Sequence, residues 1–84
     1  MRNLMKFPRL YGLDSEELRK LLKRSTLSKE DRIIAIKHLI WDMDYIDIGE
    51  IVHMHRTTVG RHMRDGIEPE LARLRGTAPQ KKAL

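Results

Sequence analysis

Residues 47–63 read DIGEIVHMHRTTVGRHM, and this stretch decides the fold. Ile48, Ile51 and Val52 recur at i, i+3, i+4, and Val59 and Met63 at i, i+4, so the text reads as two short helical segments. Between them His53, Met54 and His55 leave room only for a turn. Asp47 stands three residues before Glu50, a capping-box spacing that starts the first segment there, two turns long. Gly49 lies where two helices joined so tightly must cross closely. The second segment runs from about Arg56 to Arg64 and is expected to stop at Asp65 and Gly66, where glycine supplies a left-handed C-terminal residue.

Outward from this stretch the chain stays helical. Ser28 caps a helix that carries Glu30 and Asp31 in its first turn. Ile33, Ile36, Ile40 and Met43 then repeat at helical spacing, widened by Ile34, Leu39 and Trp41, which makes it the most buried helix, ending near Asp42 to Asp44. Before it, Asp14 with Glu17 forms a capping-box pattern for a helix to about Arg24. Leu18, Leu21 and Leu22 give that helix its apolar stripe, while Arg19, Lys20, Lys23 and Arg24 form a basic flank. Pro69 suits the first turn of a last helix to Arg75, closed by Gly76. The expected fold class is all-α, a small bundle of four to five helices. Residues 1–13 are expected to form an N-terminal arm or loosely packed leader, 14–75 the helical domain, and 76–84 a disordered basic tail.

Composition narrows the function. An 84-residue chain that is 40% apolar and 35% charged supports one small core, with nothing left over for a deep substrate cavity. It contains no cysteine, which removes disulfides, thiolate metal sites and a cysteine nucleophile together. The first residues, MRNLMKFPRLYG, are broken by charges and Pro8, giving no signal peptide, and no stretch approaches a membrane span. The expected location is the cytoplasm. A net charge of +5 and a pI near 9.9 favour polyanionic partners. The charge is unevenly spread: residues 31–54 carry only Arg32 and Lys37 against Asp31, Asp42, Asp44, Asp47 and Glu50.

Two short helices joined by a three-residue turn, the second presenting basic and hydroxyl side chains, have the layout of a helix-turn-helix. With Asp47, Ile48, Gly49, Glu50, Met54, Arg56, Thr58, Val59 and Met63 in place, the stretch resembles the promoter-reading C-terminal domain of bacterial sigma factors, and the LuxR-type and phage-encoded small regulators built on a similar unit. The resemblance covers roughly Leu27 to Leu74. It implies that the helix 56–64 enters the major groove of duplex DNA without any cofactor, as in a small bacterial or phage transcriptional regulator. Arg56 and Arg61, flanked by Thr57 and Gly60, are then the expected base contacts, since arginine suits the guanine edge. His55 and Arg64, with Arg19, Lys20, Lys23 and Arg24 from the first helix and Lys81 and Lys82 from the tail, are the expected backbone contacts. Where that family has a turn glycine this chain has His53, which must adopt a left-handed conformation costing about 1 kcal/mol or change the turn. Where the family has a capping serine it has His55.

Other chemistries fit less well. Starting a calcium loop at Asp42 would require glycine at Asp47 and a carboxylate at His53. His53, His55 and His62 lack any metal-ligand spacing, and there is no glycine-rich phosphate loop or nucleophile elbow, so neither metal nor enzyme activity is expected. Trp41, Tyr45 and Tyr11 read as core and rim aromatics rather than base-stacking platforms. Two alternatives keep the fold. One is a protein-interaction module, for example on RNA polymerase, using the acidic Asp42 to Glu50 surface. The other is a phage packaging or recombination accessory such as a terminase small subunit. Two-fold pairing of the chain would double the base pairs read, which makes a homodimer the natural oligomer to test for.

Overall fold

Leu4, Phe7, Leu10 and Leu13 stand three residues apart, and the backbone takes up that period. In the computed structural model, which describes residues 2–77, Phe7 N–H donates to Leu4 O (3.0 Å), Leu10 N–H to Phe7 O (2.8 Å) and Leu13 N–H to Leu10 O (3.3 Å). Arg2–Lys6 and Pro8–Leu10 are 3-10 helices. Two short 3-10 turns, broken at Phe7 and ended at Tyr11, carry these apolar residues, and all four are buried. Of the two courses open to the apolar residues of the arm, folding back on the core or packing on a second copy, they take the first: the leader belongs to the same apolar cluster as the helices behind it and is not loosely packed. Gly12, at φ +92°, turns the chain from the leader into α1.

Helix α1 (Ser15–Arg24) begins at the expected capping box: Glu17 N–H donates to Asp14 Oδ1 (2.8 Å) and Asp14 N–H to Glu17 Oε1 (3.1 Å). Its Leu18, Leu21 and Leu22 are buried, and its four cations are exposed. Helix α2 (Lys29–Ala35) starts under Ser28, whose Oγ accepts from Asp31 N–H (3.1 Å), and continues as a π-helical turn, Ile36–Ile40, capped by Trp41. Its most buried positions are Ile34, Ala35, His38 and Leu39, while Ile33, Ile36, Ile40 and Met43 pack half-buried around them. The inward stripe is therefore one residue off the expected one, because a histidine occupies an inward position.

Helix α3 (Tyr45–Val52) follows Asp44, not Asp47, which lies in its first turn. Helix α4 (Arg56–Arg61), a wide π segment (His62–Ile67) and helix α5 (Glu68–Thr77) then form one continuous helical run. The stop expected at Gly66 does not occur, and Gly66 is not left-handed. Pro69 explains the wide turn before it. A proline inside an α-helix lacks the N–H and crowds the carbonyl four residues back, and a π turn relieves both. In keeping with that, Glu68 N–H donates five residues back, to Met63 O. Met63, Ile67, Leu71 and Leu74 form the buried side of the run. Gly76 and Thr77 extend α5 rather than ending it, and the remainder of the expected tail, including Lys81 and Lys82, lies outside the described residues.

The first segment and the last helix are fastened together. Arg9 Nη1 reaches Glu68 Oε1 (3.5 Å), Arg75 Nη1 donates to Arg9 O (3.1 Å), and Asn3 Nδ2 donates to His38 O (2.8 Å) at the end of α2. The architecture is a small all-α bundle. Among the described residues no helix is long and apolar enough to cross a membrane.

Candidate nucleic-acid interface

Helices α3 and α4 pack directly on one another, and the turn between them explains how they come so close. His53 takes the left-handed conformation (φ 61°, ψ 46°) and donates its N–H to Gly49 O, which also accepts from Met54 N–H (2.9 Å). Two carbonyl-ending bonds on one oxygen close α3 abruptly. A Cβ at Gly49 would run into the Met54 carbonyl, so this position admits only glycine without a backbone shift. His55 is extended (φ −67°, ψ 148°) and its Nδ1 accepts from Thr57 N–H (3.1 Å), doing the work of a capping serine. That bond requires Nδ1 to be unprotonated.

From this turn the run rises with its underside fixed. Val59 and Met63 are fully buried, and His62 Nδ1 lies 2.7 Å from Asp31 Oδ1 in the first turn of α2. His55, Arg56, Thr57, Arg61 and Arg64 are exposed, and Thr58 is half-buried. At 3.6 residues per turn, Arg56, Thr57 and Arg61 span an arc of about 140°, whose Arg56 edge borders the buried Val59 and Met63, and Arg64 follows in the wide π segment. The expected Arg56, Thr57, Arg61 and Arg64 are thus all exposed, the first three on α4 and Arg64 on the π segment that continues it.

Gly60 departs from expectation. It lies inside that arc but is buried: a Cβ there would sit 3.1 Å from Tyr45 Cε2 and 3.1 Å from Arg64 Nη1. Its expected role as an open backbone contact with a base is corrected to a packing role, since it lets the Tyr45 ring lie against α4. Tyr45 also stacks at a tilt on His38 (4.3 Å between ring centroids), and burial pushes its phenol above the ordinary tyrosine value, against a lowering pull from Arg64. The phenol remains an O–H donor.

The α1 cations do not join this face. Helix α1 packs on α5; Arg19 and Lys23 line a cleft with Arg32 and Ile36, whereas Lys20 and Arg24 line another with Gly12 and Arg75. Lys20 also pairs with Glu16 (3.8 Å). One exposed cation outside the expected set, Lys6, does lie near Arg64. It lines one cleft with Tyr45 and Arg64, at the side of α4 where α3 begins. A period of three in the leader was the available signal, since it implies a packed segment whose outward residues have fixed positions.

The histidines serve separate local purposes: His53 in the turn, His55 at the cap, His62 on Asp31. His38, 3% exposed, donates Nδ1–H to Met43 O (2.9 Å), leaving Nε2 buried without a hydrogen-bond partner. Burial holds its pKa below the ordinary 6.5. Comparison of the chain with protein-family models, curated proteins and solved structures yields no match, so its function is argued from its own residues.

Proposed function

We propose that the protein binds duplex DNA as a helix-turn-helix and reads sequence by inserting the exposed face of α4 into the major groove, in the manner of a small transcriptional regulator. The observation that carries this reading is the pairing of a tightly closed α3–α4 turn with exposed Arg56, Thr57, Arg61 and Arg64 above a fully buried Val59 and Met63. A helix so presented has the shape and charge that the groove admits. Arg56 and Arg61 contact base edges; Thr57, Arg64 and His55 hold the backbone.

Selection from a randomised duplex library at moderate salt tests this. Retained duplexes sharing a motif support the reading, and a two-fold motif would mark a dimer. On the selected duplex Arg61→Ala should cost about 1–3 kcal/mol while binding to unrelated DNA changes little. Salt-sensitive binding with no motif would reduce the face to general electrostatics.

A second reading draws on a different observation. Ile46 and Ile51 stand 51% and 46% exposed on α3, beside the acidic Asp47 and Glu50. Two exposed isoleucines on different sides of an acidic helix suit a protein that wraps α3, for example RNA polymerase. In that case Asp47→Lys abolishes binding to purified polymerase and Arg61→Ala leaves it intact.

A further inference from the structure

We infer that Lys6 and Arg64 form a clamp for a backbone phosphate of the bound duplex, which makes the leader part of the DNA interface. The inference rests on the reading of the chain as a duplex-DNA binder and names a contact outside α3 and α4.

Three observations carry it. First, Lys6 is not on a free arm. Leu4 and Phe7 on either side of it are buried, the Phe7 ring meets His38 edge-on (6.0 Å, 85°), and Asn3 is bonded to the His38 carbonyl, so the exposed Lys6 projects from a fixed backbone. Second, that backbone sets Lys6, Tyr45 and Arg64, with Phe7, Pro8 and Glu68, around a single open cleft of about 380 Å³. Two cations and a phenol O–H are the donor types that phosphate oxygens accept from. Third, the cleft lies at the start of α3, the end of a helix-turn-helix that crosses the sugar-phosphate backbone when its partner helix is in the groove.

Two acids are nearby. Glu68 closes one side of the cleft, but it is nearly buried and faces Arg9 at 3.5 Å, so its charge is already met. Asp44 sits just ahead of Tyr45 and is exposed. With Glu68 met by Arg9, Asp44 is one carboxylate against the two cations of the cleft. The leader thus extends the interface along the backbone by a contact that carries no sequence information, and Arg64, one turn beyond Arg61, divides the base-reading from the backbone-holding part.

The test uses the full chain, titrated against the selected duplex and a scrambled one at 50 and 200 mM salt. If wild type binds neither duplex, the DNA reading itself fails, before any variant is made. If it binds, Lys6→Gln should weaken both duplexes by the same factor, and Lys6→Gln with Arg64→Gln should lower the log-log salt slope by about 0.9, the release from one phosphate. The advantage of wild type over that double variant then shrinks about 3.5-fold between the two salts. Lys6→Arg should restore wild-type behaviour, and the thermal midpoint of Lys6→Gln should match wild type, separating contact from folding. An unchanged slope in the double variant, or a Lys6→Gln loss confined to the selected duplex, overturns the clamp and leaves the DNA reading standing.

Discussion

The leader (residues 2–13) and the α3–α4 pair bury their apolar residues by different routes. In the leader the order comes from repetition: every third residue from Leu4 to Leu13 is buried, each N–H after the first bonded three residues back, and the segment is tied down by partners far along the chain. In the α3–α4 pair it comes from one unusual turn, where a non-glycine residue is left-handed, a glycine is indispensable and a histidine caps a helix. Damage to a repeated segment is therefore expected to act through lost burial. Damage to the pair acts through backbone geometry, with the exposed side of α4 moving before the core does.

Substitutions can separate these two modes. The largest effect is expected from the leader: Leu10 is completely buried, and Leu10→Ala should cost about 2–5 kcal/mol in chemical denaturation. A loss below about 1 kcal/mol would return the leader to the status of a loose arm. Gly49→Ala should cost about 1–3 kcal/mol, since its Cβ meets backbone rather than a yielding side chain. It should also weaken DNA binding by more than its stability loss explains, which comparing the two titrations would reveal. His53→Gly should act in the opposite direction and stabilise by about 1 kcal/mol, relieving the left-handed strain; a lower melting midpoint would mean that the His53 side chain contributes contacts of its own.

The smallest effect is a pH dependence at the seam between the two regions, where Phe7 and Tyr45 both pack on His38. Burial keeps His38 neutral in the folded protein below the pH at which the unfolded chain takes up a proton. The unfolded state then binds more protons, so stability from this group is complete above about pH 6.5 and declines as pH falls below that value toward the lowered folded one. Melting midpoints measured from pH 7.5 to about 5 should show the decline in wild type and a flatter profile in His38→Asn, which keeps a donor near the Nδ1 position. Parallel profiles would assign the acid loss to another group.

What could be read along the chain was what depends on near neighbours. Asp14 with Glu17, Ser28 with Asp31, the left-handed demand on His53 and the close crossing at Gly49 all involve residues within six positions of one another, and each is found. Gly66 misled because a glycine after a helical stretch reads as a stop, whereas Pro69 three residues later is accommodated by widening the helix instead. His38 and Gly60 could not be placed by local pattern: each is defined by Tyr45, which only the fold brings onto them. The exposure of Arg56, Thr57, Arg61 and Arg64 was legible from helical period. That Lys6 stands beside Arg64 depends on a leader whose partners, Glu68 and Arg75, are 59 and 66 residues away.

The same long ties affect how quickly the molecule can form. A helical bundle closed by neighbouring elements is among the fastest topologies, because each contact joins residues already close along the chain. Here the two ties of Arg9 form only when α5 has arrived, and loop closure over some sixty residues must precede them, whereas Asn3 reaches His38 across 35. The helices and the Arg2–Lys6 turn can therefore assemble first and the Pro8–Leu10 turn join last, so that a chain caught midway would display α4 correctly while its core still lacked Leu10.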